Sequence, residues 1–531
     1  MCPESQSVKG SVEKIVKPVN LETARVHAPK KEYSFFAPRW LYTTALIILF
    51  GLGIGIRLYD LTDLPLDFHP TRQLLSALKA RGMFYQTIPD IPDWQRRMSL
   101  QQWQTRAAIE PEIVERLVAF TYQFTGEQLW VARIYSSLFW VIGGVFLFLL
   151  VKDLISVDGA MIATAYYLFL PYAVIASRAF QPDPLMVMLI IAFWWAFHCW
   201  SQKPSWVFAI LAGLFGGFAI FIKFVAAFFV IGGALGELLG NSTWRGMLRN
   251  TQVWLIAILG VLPGASYLFY GAVLNDYLRD QFNGRFIPSL LFSPLNYIGW
   301  ASKANLAAGG VAIMLGLLGL FLVRERRVRN YLVGLWIAYF LFGLYFNYTI
   351  ATHDYYQEPF IPLVAVSLAP IADWTMARLA EVTTIRWMRA AAFIVLLYGV
   401  ATAAWDVRGQ LKSANYRPEA AMWEEIGRIF NHDESVVALT QDYGNRLDYW
   451  GWQKARIWPY SGDINYHELR GEEFQFDSFF NKFIQGKRYF LVTDFAELDR
   501  QPRLRQQLVR LPVYNQADGY VIYDLSEPTE P

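Results

Sequence analysis

The sequence predicts a polytopic α-helical membrane protein with about eleven transmembrane helices and a soluble α/β domain at its C-terminal end. Three observations predict it. Hydrophobic residues make up 55% of the 531 residues and charged residues only 17%, where a soluble chain carries roughly a quarter charged residues. Long apolar runs recur between Trp40 and Trp405. After residue 408 the chain turns polar, and short apolar strands alternate with helix-like stretches.

The elements follow in order. Residues 1–37 are polar and basic and form an expected cytoplasmic tail. The first apolar run, Trp40–Ile56, ends in Arg57 instead of a small-residue cleavage site, which predicts an uncleaved span. Further spans are expected at 130–151, 159–177, 184–200, 205–222, 224–240, 253–273, 304–323, 331–350, 358–375 and 388–405. Alternation from an inner N-terminus puts Lys152, Lys203, Arg245, Arg249, the "RERRVR" run at 324–329, Arg378 and Arg386 in inner loops. That bias satisfies the positive-inside rule. It supports two spans in 205–240, because one span there would turn "RERRVR" outward. The result is a multi-pass protein of the plasma (inner) membrane, with residues 38–408 as its transmembrane domain and 58–129 as a long outer loop. Residues 409–531 are then an extracytoplasmic α/β domain, with strands expected at 435–440, 488–494 and 519–524 and helices at 418–430 and 495–510.

Composition excludes several classes. A net charge of +3 is too small to point to nucleic acid, and two cysteines, Cys2 and Cys199, rule out a disulfide framework or a cysteine-based metal cluster. Both are expected to be free.

The chemistry-bearing residues collect on one side of this topology. Asp67, His69, Arg72, Glu110, Arg178, Asp183, Lys223, Arg285, His353, Asp354 and Tyr356 all fall in outer loops or at outer ends of spans. Ionisable groups at membrane depth are costly and default to a functional reading. Each also has a structural one. Pro70 and Thr71 suit a helix start, Arg178 suits a headgroup anchor, and Lys223 can snorkel between spans. The stretch 96–116 suits an interfacial helix, and "HDYY" suits an aromatic belt. No paired-acid metal spacing is present; Asp67, His69 and His353 are the groups available to a divalent ion.

The order of these residues resembles the GT-C membrane glycosyltransferases (glycosyltransferase family 39-like), nearest to the protein O-mannosyltransferase and lipid A aminoarabinose transferase group. The resemblance runs over residues 40–375. It is carried by "DFHPTRQLLSALKARG" with Asp67 after the first span and Gly82 closing a helix, and by "EPEIVERLVAFTYQFTGEQLWVARIYSSLFWVIGG" at 110–144. "PYAVIASRAFQPDPL" at 171–185, "AIFIKFVAAFF" at 219–229 and "HDYYQEPFIP" at 353–362 complete it. Phe68 stands where the family usually has a second acid, and Glu110 where some relatives have lysine.

The resemblance implies an enzyme that moves a sugar from a polyprenyl-phosphate donor to an extracytoplasmic lipid, glycan or protein, with inversion. Asp67 is the implied general base. Arg178, Lys223, Arg285 and His353 are the implied phosphate-binding groups, and His69, Arg72, Glu110, Asp183 and Tyr356 position the substrates. A transporter, with its repeated halves, and a lipid-linked polysaccharide polymerase or ligase are the rival readings. No internal repeat is visible.

Overall fold

Lipid offers no hydrogen bonds, so apolar runs at bilayer depth satisfy their backbone groups by folding as helices. The structure, a computed structural model, describes residues 34–526 apart from 107–108, 242–245, 247–248, 275–277, 279–284, 433–434 and 472. Most of the expected N-terminal tail, with Cys2, lies outside the described residues. Cys199 is a free thiol.

Helix α1 (Arg39–Leu58) leads into three helices of the long loop, α2 (Pro70–Thr87), α3 (Asp93–Gln104) and α4 (Ile113–Thr125). Then come α5 (Trp130–Leu154), α6 (Val157–Phe169), the short α7 (Pro171–Ala176), α8 (Asp183–Gln202), α9 (Trp206–Ile222), α10 (Ala226–Asn241) and α11 (Thr251–Phe269). The helical part closes with α12 (Pro294–Ala308), α13 (Gly310–Leu322), α14 (Arg326–Tyr345), α15 (Asn347–Thr352), α16 (Phe360–Val382) and α17 (Arg386–Ser413).

Among the described residues, seven helical segments are long and apolar enough to cross a bilayer: α1, α5, α8, α11 with its continuation to Leu274, α14, α16 with the turn that precedes it, and α17. The other four expected spans are shorter or broken. Pro171 splits 159–177 into α6 and α7, because proline lacks the N–H that would continue the ladder. At 205–240 the chain forms a 17-residue and a 16-residue helix with Lys223 between them. The expected span 304–323 straddles a 91° bend at Gly309, whose φ of 79° suits glycine. The stretch 96–116 is likewise not one helix, since α3 ends at Gln104 and α4 begins at Ile113.

Small residues let the membrane helices approach closely. A Cβ on Gly334 of α14 would stand 2.7 Å from the Cα of Gly236 in α10, so these backbones touch.

The C-terminal part is α/β. Helix α18 (Glu419–Ile429), β1 (Val436–Leu439), α19 (Asn445–Trp450), β2 (Arg456–Ile457), α20 (Ser461–Leu469), α21 (Phe476–Ile484), β3 (Tyr489–Val492), α22 (Phe495–Asp499), α23 (Pro502–Leu508), β4 (Val513–Ala517) and β5 (Tyr520–Asp524) follow in order. The sheet runs β2-β1-β3-β5-β4. β1 pairs in parallel with β2 and β3; β5 pairs antiparallel with β3 and β4. β2 and β4 are additions to the three expected strands, and the expected helix at 495–510 is two short ones. Trp458, fully buried, packs against Phe476, Phe480, Phe483 and Phe490 under the sheet.

This domain docks on the long loop. Arg81 of α2 donates to the Tyr449 carbonyl at 2.5 Å and lies 3.6 Å from the Tyr449 ring centroid. Gln102 of α3 donates to the Asp448 carbonyl at 2.8 Å, and Arg106 pairs with Asp448. Loop 58–129 and the C-terminal domain therefore lie on the same side of the molecule.

Helix α2 does not close at Gly82 but runs on to Thr87. Gly82 is a contact point instead: a Cβ there would stand 2.5 Å from Trp103 Cβ and 2.8 Å from the Ser99 carbonyl of α3. Gly82→Ala should lower the melting temperature of the purified protein, by about 1–3 kcal/mol of stability, despite alanine's better helix propensity. An unchanged or raised melting temperature would show that α2 and α3 do not meet here.

Candidate functional site

The site starts where the chain leaves α1. Arg57, fully buried, donates to Ser177 Oγ at 2.8 Å and to the Leu168 carbonyl at 3.0 Å. It thereby fixes the turn between α7 and α8 that carries Arg178. Arg178 is itself buried. One of its nitrogens donates to the Asp60 carbonyl at 3.0 Å, while Nε and Nη1 have no partner. Burial, and then the neighbouring Arg133, pull its guanidinium down to about 10. It remains a cation at neutral pH, with donors to spare.

Asp67 faces the same turn. Its Oδ1 accepts from Arg133 at 3.1 Å and from Gln73 at 3.3 Å. Gln73 also donates to the Phe68 carbonyl and accepts from the Phe180 N–H, so it ties the Asp67 loop to the Arg178 turn. The Asp67 side chain stays 18% exposed, against 2% for Arg133, so a substrate can reach the carboxylate. Asp67 and Arg178 thus belong to one cluster, joined through Arg133 and Asp60.

His69 caps α2 in the left-handed region, with φ 44°. That conformation is uncommon outside glycine and marks functional sites when the surroundings enforce it. Pro70 takes the first helical position, as its fixed φ favours. Thr71 does not cap the helix but donates to Asp442 of the C-terminal domain at 3.0 Å. The His69 ring meets Asp354 at 2.5 Å and packs edge-on against Tyr355.

One turn further along α2, Arg72 pairs with Glu110 at 2.7 Å. Burial alone would push Glu110 up, but Arg72 first and Lys223 second hold it below the usual carboxylate range. Lys223, in the break between α9 and α10, pairs with Asp183 at 2.7 Å. Its ammonium sits 5.0 Å and 5.1 Å from the ring centroids of Tyr355 and Tyr356. Arg72 reaches the Tyr355 ring at 5.7 Å, so one tyrosine bridges both cations. Glu358 is fully buried close by, with neither carboxylate oxygen bonded, and Asp183 Oδ2 has no partner either.

Arg285 and His353 stand apart from this pair of cations. They line a cleft of about 510 Å³ that runs from Tyr355 to α20 of the C-terminal domain. Burial, and then the charge of His69, push His353 down to about 4. Its ring is therefore held toward the neutral form.

Asp67, His69 and His353, the groups named for a divalent ion, take separate partners: Arg133, Asp354 and Thr352. Among the described residues no three His, Cys, Asp or Glu side chains converge as metal ligands. Sequence reasoning missed Gln73, Arg133 and Glu358. The last two carried a signal, as an arginine in the first turn of one span and an acid before proline at the start of another.

Residues 110–270 match the family model described as dolichyl-phosphate-mannose-protein mannosyltransferase. That stretch holds Glu110, Arg133, Arg178, Asp183 and Lys223. No curated protein sequence matches the chain. Among solved structures it is similar to ArnT from Cupriavidus metallidurans bound to undecaprenyl phosphate, at 14% identity over 93% of this chain and 99% of that one, with a TM-score of 0.52. The apo state of ArnT gives 14% identity over 91% and 97%, with a TM-score of 0.54. The archaeal oligosaccharyltransferase AglB from Archaeoglobus fulgidus, in complex with an inhibitory peptide and a dolichol-phosphate, gives 11% identity over 93% and 75%, with a TM-score of 0.53. With its membrane helices, its long loop and its C-terminal α/β part, the chain is a membrane protein of the GT-C glycosyltransferase fold.

Proposed function

We propose that this protein moves a sugar from a polyprenyl-phosphate carrier to an extracytoplasmic acceptor, by single displacement with inversion and with Asp67 as general base. The observation that carries the reading is where Lys223 sits. Its ammonium lies beside Asp183, Tyr355 and Tyr356. The next residue, Phe224, opens an apolar groove of about 690 Å³ between α10 and α14, lined by residues such as Ile231, Leu235, Val333 and Ile337. A phosphate held at Lys223 leads its isoprenoid chain directly into that groove. Two structural neighbours were solved with such carriers, undecaprenyl phosphate and dolichol-phosphate.

The chemistry follows from the charges. The acceptor's hydroxyl or amine attacks the anomeric carbon and gives its proton to Asp67, whose other oxygen Arg133 and Gln73 hold in place. The bond from the anomeric carbon to the phosphate oxygen breaks, and the departing polyprenyl phosphate gains negative charge. Lys223, Arg72 and Arg178 stabilise it. Glu110 and Asp183 hold those cations in position, Tyr356 covers Lys223, and His69, braced by Asp354, orients the sugar. The positive-inside bias supports a cytoplasmic N-terminus and an extracytoplasmic C-terminal domain in the inner membrane.

Three tests follow. Mass spectrometry of lipid-linked sugars and envelope glycans, with and without the protein, should reveal one missing glycan. Asp67→Asn should then cut that transfer by about 10²–10⁴-fold while the protein inserts and binds carrier as before; undiminished transfer removes Asp67 from the base role. Lys223→Met alone strands the Asp183 charge and should destabilise the protein by about 3–5 kcal/mol. The double variant Lys223→Met/Asp183→Met should regain stability but not transfer, and restored transfer would exclude Lys223 from the phosphate site. His353 has a folded value of about 4, below the ordinary 6.5. Stability from its neutral ring is therefore full above pH 6.5 and lost as pH falls toward 4. His353→Gln should flatten the melting temperature across that window, and an unaltered pH profile would contradict the assigned burial.

A further inference from the structure

The face of the membrane body opposite the site carries chemistry that sugar transfer does not use. α1 runs for 20 residues from Arg39 toward the turn that leads to Asp67, a length of about 30 Å. α17 begins at Arg386 and ends at Ser413, just before the C-terminal domain. Both helices therefore start on the far face. We infer that this face holds a phospholipid with an anionic headgroup, seated between α1, α6 and α17. Arg39, Arg386 and Arg389 take its phosphate, and an acyl chain fills the groove beneath them. This site is separate from the groove between α10 and α14, and its lipid takes no part in sugar transfer.

Two recesses meet at Phe36. One, of about 420 Å³, is lined by Ser34, Ala37, Arg39, Tyr42 and Val157. The other is an apolar groove lined by Ile48 and Leu49 of α1, Met161 and Ile162 of α6, and Leu396 and Val400 of α17. A polar recess that opens onto an apolar groove has the shape of one lipid, head first and chain behind. The groove exists because α17 is sparsely packed. Of its 28 residues only Val407 and Leu411 are buried, and these lean on Val174 near the other end of the helix. Leu396 and Val400 face the groove instead. A chain laid there gives this half of α17 the packing that its neighbouring helices do not.

The rim above the groove is cationic. The Arg386 guanidinium lies 5.5 Å from the ring centroid of Trp40, the residue after Arg39. The Arg389 guanidinium lies 5.9 Å from the Phe35 ring centroid, and its Nε is buried without a hydrogen-bond partner. Among the described residues no ion pair takes any of these three arginines. Asp158, at the start of α6, is already engaged. It accepts from Ser34 Oγ at 2.8 Å and from the N–H groups of Phe35 and Phe36 at 2.7 Å and 3.0 Å, which fixes Phe36 at the junction of the two recesses. Trp40 and Trp387 are exposed beside the arginines, as tryptophans are where helices cross the headgroup layer. Guanidinium groups at that level match phosphate oxygens and the negative surface of a membrane. A zwitterionic headgroup carries its own cation and gains less.

Native mass spectrometry of the full-length protein in detergent, with lipid added back, tests this without turnover. Phosphatidylglycerol should stay on as a single bound copy and raise the melting temperature, and phosphatidylcholine at the same concentration should do neither. An arginine near an anionic surface contributes about fivefold in affinity, so the double variant Arg386→Gln/Arg389→Gln should weaken phosphatidylglycerol binding by about tenfold or more. An unchanged melting temperature without lipid verifies that this variant is folded. Ile48→Trp, which fills the groove and leaves the arginines in place, should lose the lipid as well. Arg326→Gln/Arg329→Gln removes the same charge at the start of α14, elsewhere on that face, and should retain it. Equal binding of phosphatidylcholine overturns the inference, as does wild-type binding by the Arg386/Arg389 variant or by Ile48→Trp. An equal loss in the α14 variant would mean diffuse charge and no site. A dimer with no bound lipid would put a second copy of the chain against α17, with the same consequence.

Discussion

The ion pair of Lys223 with Asp183 is the constraint from which the rest of the site follows. An ammonium buried at membrane depth is expensive, and pairing it with a carboxylate repays that only when the geometry is good. The chain meets the condition by breaking its helices. α9 stops at Ile222 and α10 restarts at Ala226, while α8 begins at Asp183 itself. Both partners therefore sit at helix ends, where backbone direction is free to change. Tyr355 then lies over the ammonium and carries its influence to Arg72, and through Arg72 to Glu110 and the start of α4. Carboxylates and cations alternate along this path. Each of these cations keeps a carboxylate partner, Glu110 for Arg72 and Asp183 for Lys223.

The opposite end of the same helices is pinned in a similar way. Glu237 of α10, fully buried, accepts from His198 at 3.1 Å, from Ser201 at 2.6 Å and from Arg327 Nε at 2.8 Å. These groups come from α8 and α14, so buried charge joins α8 to α10 at both ends and joins α14 to them at this one. Between the two ends, Gly232, Gly236 and Gly334 bring α10 and α14 into backbone contact. The apolar groove beside Phe224 therefore runs along two helices whose backbones already touch. A long isoprenoid chain loses less by binding to a surface already in shape.

The sequence made the gathering of these residues at one rim legible because the signal is local. A charge at the end of an apolar run is costly wherever the run folds, so Asp67, Arg178, Asp183 and Lys223 stand out without knowledge of partners. The partners were not legible. Asp67 and Arg133 lie 66 residues apart, and His69 and Asp354 lie 285 apart; no periodicity links them. Helix breaks were half visible. Pro171 and Gly309 are residue types that break helices, although the expected spans 159–177 and 304–323 run through both, and the apolar run around Lys223 reads as two full spans because hydropathy counts residues and not the turn that the ion pair needs. Gly82 misled for a related reason. Glycine after a helical pattern suggests an end, and only the nearness of Trp103 shows that it marks a close packing contact. In the C-terminal part, β1, β3 and β5 are apolar and legible, whereas β4 is mostly exposed and carries no such pattern.

Helix α2 explains why a site at the membrane surface depends on a domain outside it. Its cap is His69 and its first turn holds Arg72. Along the same helix, Arg81 bonds Glu127 at 2.7 Å and the Tyr449 carbonyl, and it stacks on Tyr449 and Trp452. Thr71, between the two site residues, bonds Asp442, and Asn445 returns a hydrogen bond to the Thr71 carbonyl at 2.9 Å. The helix is therefore fastened to the C-terminal domain at both ends. A shift of that domain would move His69 and Arg72 with it, and it would change the width of the cleft between Tyr348 and Tyr466. The position of His69 and Arg72 and the shape of the neighbouring cleft are in this way one mechanical quantity, set by an arginine stacked on two aromatic rings about three helical turns along α2.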